Sequence, residues 1–188
     1  MNTTTRTRRF LASLGAVTAV AGAVVAGAPA AQAAQAGDCD LGAALHSPAK
    51  VYNGAAGVLD LPGDNESNGT RIGVYSANDW SDAQSWLVWN YCDGTTAISH
   101  GSTGKVIDLD TGSGAVRLWD TPGGWDGLNR PVQYGMPANQ KWRLTDEDRG
   151  WYLVRNAVTG QCLKGNGVSQ YTSMTSCDGN DPAQRWMI

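Results

Sequence analysis

Phenylalanine is all but missing: the chain has one, Phe10, against eight tryptophans and six tyrosines. Beyond that N-terminal residue, every aromatic side chain pairs a flat apolar face with a polar handle, which suits wet interfaces as well as cores. Histidine is nearly as scarce, with His46 and His100 standing alone. No Cys-x-x-Cys pair accompanies them, so no zinc site and no other metal or cofactor is expected. Each histidine reads as a solvated loop residue. Charge is thin at 16% of residues, and basic clusters are absent. That balance argues against a nucleic-acid partner and against an anionic membrane surface. No amphipathic run reaches helical length, which excludes a helical domain.

What is present begins with export chemistry. "MNTTTRTRRF" carries Arg6, Arg8 and Arg9 without an acid and leads into an Ala-rich apolar run ending "AQAAQAGD". A basic start, an apolar middle and small residues at a cleavage site describe a secretory signal over residues 1–36. Cleavage after Ala36 leaves residues 37–188 as one secreted, extracellular domain with no further membrane insertion. That domain carries all 17 acids against 11 lysines and arginines. Cys39, Cys92, Cys162 and Cys177 make an even count in an exported chain, so two disulfides are expected. Sequence alone leaves three pairings open.

The main signal is a repeat. Gln84-x-Trp86, Gln140-x-Trp142 and Gln184-x-Trp186 lie 56 and then 44 residues apart. Each follows a small residue and Gly (Ala56-Gly57, Thr103-Gly104, Thr159-Gly160), a short alternating apolar stretch, and a Gly/Asn/Asp-rich loop. The middle copy carries an insertion containing "TPGGWDGLN". Short strands with turn chemistry between them read as all-β. One such unit cannot bury both faces of four short strands, whereas three packed about a common axis can. The expected fold is a pseudo-threefold β-barrel with hairpin caps, in lobes of about 43–89, 90–145 and 146–188.

The three triplets, with "GVLDL", "VIDLD", "VRLWD" and "VRNAVTGQCL", resemble the ricin-B type β-trefoil lectins over most of residues 43–188. The resemblance implies a β-trefoil in which Trp86, Trp142 and Trp186 are core residues and each Gln bonds within its own lobe. It also implies an intralobe Cys162–Cys177 disulfide, and with it Cys39–Cys92. For function it implies a sugar site in each intact lobe: an Asp after the first apolar stretch, an aromatic platform, and Asn before Gln-x-Trp. A carboxylate can accept two sugar hydroxyls while a ring packs against the C–H face.

On that pattern lobe one offers Asp60, Tyr75 and Gln84, with Ala83 where Asn would stand and Gly73 where Gln is usual. Lobe two offers Asp108, Asn139 and Gln140 and is expected to bind best. Its platform is either Trp119 or Tyr134, and Trp125 of the insertion overhangs a site or fills a gap. Lobe three has Lys164 for the Asp and Thr175 for the ring, so it is expected to be scaffold. The resulting expectation is an exported, non-catalytic module for a glycan or polysaccharide. The competing reading is a trefoil with a protein partner, either a toxin targeting subunit or an inhibitor. Glycoside hydrolysis would need two carboxyls about 5–10 Å apart. Asp108 and Asp110 share a strand face, yet no other group supports catalysis.

Overall fold

The computed structural model describes residues 45–125 and 130–188, leaving aside the side chains of 45–47. These residues all belong to the second of the chain's two units, 36–188. The expected signal, its cleavage site, Cys39 and the side chain of His46 lie outside the described residues.

Every regular element among the described residues is a strand or a single 3-10 turn. The first stretch supplies β1 (Leu45–Ala49), β2 (Tyr52–Asn53), β3 (Val58–Asp60), β4 (Gly73–Tyr75) and β5 (Trp86–Asn90). The middle supplies β6 (Thr96–His100), β7 (Val106–Leu109), β8 (Val116–Trp119) and β9 (Trp142–Asp148). The last supplies β10 (Trp151–Asn156), β11 (Cys162–Lys164), β12 (Gln170–Tyr171), β13 (Ser173–Thr175) and β14 (Arg185–Met187). Strands β5, β6, β9, β10 and β14 pair in that order, all antiparallel, and β2 follows β14. At the other end of this path β1 pairs with β5. Since β1 and β2 are consecutive pieces of one stretch, residues 45–53 join the two ends of the path. Three hairpins, β3–β4, β7–β8 and β11–β13, add the caps. The chain is a β-trefoil, as expected.

The repeated triplet has one geometry in all three copies. Each Gln closes a 3-10 turn (Asp82–Gln84, Ala138–Gln140, Pro182–Gln184), and each Trp opens or enters a barrel strand. Trp86, Trp142 and Trp186 are fully buried. Their Nε1–H groups donate to the carbonyls of Leu59, Ile107 and Leu163 at 3.0, 3.1 and 2.9 Å. Each accepting residue lies in the first strand of a cap hairpin, so one side chain ties barrel to cap in every lobe. The three indoles meet in one core with Leu59, Ile107 and Leu163.

A second set of buried groups joins neighbouring lobes. Asn53 donates to the carbonyl of Ala183 at 2.9 Å, and Asn156 donates to that of Asn139 at 3.0 Å. His100 takes the corresponding place, its Nε2 lying 2.8 Å from the Asp82 carbonyl. His100 is therefore no solvated loop residue; it is fully buried at the end of β6, edge-on to Trp86. Polarity at the end of a strand concealed this role.

The lobe-two insertion covers a smaller cluster outside the barrel, made of Leu87, Trp89, Tyr91, Ala97, Val106 and Met136. Tyr91 donates its hydroxyl to the Pro131 carbonyl at 2.6 Å. Trp125 lies flat against Gly104, where a Cβ would come within 2.9 Å of the indole. Trp125 nevertheless stays 44% exposed.

Cys162 and Cys177 are bonded. Cys92 is also in a disulfide, while Cys39 lies outside the described residues. The fold account predicts that Trp142→Ala loses about 3–5 kcal/mol of stability, the cost of emptying a core tryptophan site. Urea unfolding of Trp86→Ala and Trp186→Ala should show losses of the same size, because the three environments repeat. A loss below about 1 kcal/mol in any one would contradict the shared role.

Candidate functional site

Strand register aligns the candidate sites position by position. Asp60 pairs with Gly73, and Val58 with Tyr75. Asp108 pairs with Arg117, and Val106 with Trp119. Lys164 pairs with Ser173, and Cys162 with Thr175. Directly opposed residues of antiparallel strands project to the same face. The three lobes therefore present Asp60–Gly73–Tyr75, Asp108–Arg117–Trp119 and Lys164–Ser173–Thr175. Trp119, not Tyr134, is the structural counterpart of Tyr75. Tyr134 is 82% exposed on the insertion and lines a separate cleft with Cys92 and Lys141.

In lobe two the site is full. Arg117 donates from Nε to Asp108 Oδ1 at 2.9 Å and from Nη1 to Asp110 Oδ2 at 3.0 Å. Its guanidinium carbon lies 4.1 Å from the centre of the Trp119 ring. Asn139 and Gln140 take the other carboxylate oxygen, Asp108 Oδ2, at 2.8 and 3.2 Å. The carboxylate, the amides and the ring all come together, but around an internal cation. A guanidinium fork on a carboxylate and a ring face meets both demands at once. Asp110 is held below the usual carboxylate range, first by the Ser113 hydroxyl and also by Arg117. The pair Asp108 and Asp110 is thus bridged by one arginine.

In lobe one the same place is open. Gly73 carries no side chain beside Asp60, and Pro62 and the Gln170 carbonyl come within 3.2 Å of where its Cβ would stand. The cleft above Asp60 has a volume of about 460 Å³. Gln84 donates from Nε2 to Asp60 Oδ1 at 3.0 Å and to the Ser76 carbonyl at 2.9 Å. Gln84 Oε1 accepts from the Asn78 backbone at 2.8 Å, which fixes the orientation of its amide. Asp60 Oδ2 has no protein partner among the described residues, and the residue as a whole is buried. Tyr75, half exposed, forms part of the wall.

The opposite wall comes from a lobe that was expected to be scaffold alone. β12 extends β4, with Tyr171 paired to Gly73 and Gln170 to Val74. Asp60, Gly73 and Tyr171 thus form one row, with the glycine between a carboxylate and a ring. Arg71 lies with its guanidinium carbon 4.3 Å from the Tyr171 ring centre and backs it. Sequence reasoning missed Tyr171 because it belongs to no triplet. Asp64 and Ser169, both at the cleft, hold positive φ of 52° and 64° although neither is glycine. Such conformations collect at binding sites because the surroundings must enforce them.

Lobe three inverts the charge pattern. Lys164 donates to Asp181 Oδ2 at 2.9 Å, and Gln184 joins the same oxygen at 3.2 Å. Asp181 also caps the following turn through Ala183. The Lys164 hydrogen bond is the main cause holding Asp181 below the usual range. Lobe three has no free acceptor at this position.

Among the described residues, no group of three or more His, Cys, Asp or Glu side chains is placed to hold a metal ion. No helix among them is long and apolar enough to cross a membrane.

Comparisons with known proteins agree with this architecture. Residues 138–188 match the family described as ricin-type beta-trefoil lectin domain-like. No curated protein sequence matches the chain. The designed three-fold symmetric protein ThreeFoil superposes with a TM-score of 0.61 at 21% identity, over 76% of this chain and 96% of ThreeFoil. The exo-beta-1,3-galactanase 1,3Gal43A from Clostridium thermocellum gives 0.60 at 20% identity, over 74% of this chain and 29% of the enzyme. The hemolytic lectin CEL-III gives 0.53 at 19%, over 76% of this chain and 31% of that one. The chain spans less than a third of the last two. At these identities the likeness establishes the fold. The chain is a β-trefoil that resembles the ricin-type lectins, and its last 51 residues match their family model.

Burial raises the Asp60 carboxyl above the ordinary range; Gln84 offsets this in part and Asp64 adds to it. The folded state therefore keeps this proton to higher pH than the unfolded chain. Stability is lost as pH rises from the unfolded value, about 3.9, through the raised folded one. Asp60→Asn should be more stable than wild type at pH 7, and the advantage should shrink towards pH 3. Melting curves across that range check this, and a constant difference would contradict it.

Proposed function

We propose that the protein is an exported, non-catalytic glycan-binding module whose working site is the lobe-one cleft. The observation that carries this reading is the contrast between Gly73 and Arg117. The same carboxylate position is vacant above Asp60 and plugged above Asp108. Asp60 Oδ2 offers an acceptor for sugar hydroxyls, Gln84 orients the carboxylate, and Tyr75 and Tyr171 supply ring faces. The expected primacy of lobe two gives way to lobe one, because Arg117 already satisfies Asp108 and covers Trp119.

The family match at residues 138–188 and the trefoil fold support glycan recognition in general. The disulfide supports an oxidising, extracellular setting. A cleft with one carboxylate makes few hydrogen bonds, each netting about 1 kcal/mol. A free monosaccharide is therefore expected at about millimolar affinity, near 4 kcal/mol. A second reading, binding of a polypeptide, draws on a shallow apolar cleft bordered by Tyr52, Trp151, Val168 and Met187.

Screening residues 37–188 on a glycan array tests the proposal. Asp60→Ala should abolish the signal of the best ligand, whereas Asp108→Ala should leave it within about twofold. Equal loss in both would contradict the lobe assignment, and no glycan signal at all would favour the polypeptide reading. Arg117→Gly should unblock lobe two and raise the calorimetric stoichiometry from one site to two. An unchanged stoichiometry would show that Arg117 does not occupy a sugar position.

A further inference from the structure

A second cleft adjoins the first. It shares Leu61, Asp64, Asn78 and Ser81 with the Asp60 cleft and continues past them to Trp80 and Glu66. Trp80 is 94% exposed, the most exposed of the large apolar side chains among the described residues. Its loop is nevertheless tied to the site. The Trp80 backbone donates to Asn78 Oδ1 at 3.1 Å. The Asn78 backbone in turn donates to Gln84 Oε1 at 2.8 Å, and Gln84 holds Asp60. On the outer side Lys50 pairs with Asp79 at 3.3 Å. A bare indole is thereby presented beside the carboxylate cleft through a short chain of hydrogen bonds.

We propose that the two clefts form one groove for a linear, neutral oligosaccharide, with one sugar ring on Asp60 and Tyr75 and a neighbouring ring packed on Trp80. This rests on the glycan reading above and adds the ligand's class to it. Indole faces suit the C–H face of a pyranose, and exposed aromatic platforms bind without needing a specific hydroxyl pattern. Charge sets the second limit. Asp60, Asp64, Glu66 and Asp82 line the two clefts, and no lysine or arginine does. A uronate chain would bring its carboxylates among these acids, which disfavours it. Joining two weak contacts on one ligand makes the second intramolecular, so affinity rises with chain length until both are filled.

Calorimetry tests this with galactose, xylose and mannose, their linear di- to tetrasaccharides, and oligogalacturonate. At least one neutral series should gain tenfold or more between monomer and trimer and then level off, while oligogalacturonate should not bind. Trp80→Ala should remove that gain and leave monosaccharide affinity within about twofold; Asp60→Ala should remove both. Tryptophan fluorescence should shift with the trisaccharide and not with the monosaccharide, and the shift should be lost in Trp80→Ala. Equal affinity for monomer and chain, a gain that survives Trp80→Ala, or preference for the uronate would overturn the groove while leaving the Asp60 site intact. If Asp60→Ala binds normally, or no probe binds, the glycan reading itself falls and the groove with it.

Discussion

The fold hangs on one contact made three times: a buried indole N–H donating to the backbone carbonyl of a cap strand. An unpaired N–H inside a dry core would cost about 1–3 kcal/mol. Each Gln-x-Trp turn can therefore settle only where its partner carbonyl is presented. Trp86, Trp142 and Trp186 thus fix cap to barrel in the same geometry. The Gln of each triplet then stands at the mouth of the cap hairpin, where the candidate sites lie. Scaffold and site are specified by adjacent residues of one motif.

That arrangement lets the lobes diverge without disturbing the barrel. The site face of each cap hairpin lies outside the indole core, so its side chains are free to change. Lobe one keeps an acid and replaces its cross-strand neighbour with glycine. Lobe two keeps the acid and neutralises it with Arg117; lobe three places a lysine there and supplies Asp181 in return. In lobes one and three the Gln Oε1 accepts a backbone N–H, from Asn78 and Asp178, whereas Gln140 Oε1 in lobe two is buried without a partner among the described residues. Among the site acids, Asp60 differs in having an oxygen without a protein partner among the described residues.

The fold was legible because it is written in spacing: three triplets, period-two strands and turn residues between them. The places of Asp60, Asp108 and Tyr75 on the cap hairpins were legible for the same reason. What sequence could not supply was occupancy. Gly73 read as a lost amide, whereas in the structure it lets Pro62 and the Gln170 carbonyl pack close and forms part of the cleft floor. Arg117 drew no notice in "VRLWD", although its register opposite Asp108 pairs it with that acid. The choice between Trp119 and Tyr134 stayed open in the sequence, and only strand pairing places Trp119 opposite Val106, as Tyr75 stands opposite Val58. Tyr171 was hidden because β12 joins β4 across a lobe boundary, a long-range pairing that no local pattern encodes. His100 was misread because a buried polar side chain cannot be told from an exposed one until its partners are known.

The central claim is that a single position, the cross-strand neighbour of the site acid, decides whether a lobe binds. Gly73→Arg places a guanidinium opposite Asp60 as Arg117 stands opposite Asp108, with Pro62 in lobe one where lobe two has Asp110. Titrating wild type and Gly73→Arg with the best neutral oligosaccharide, alongside their melting curves, measures it directly. The account predicts that Gly73→Arg loses binding at least a hundredfold, whereas a Gly73→Ala control, which adds only the Cβ that meets Pro62 and the Gln170 carbonyl at 3.2 Å, retains it. A folded Gly73→Arg protein that binds as wild type does would contradict it.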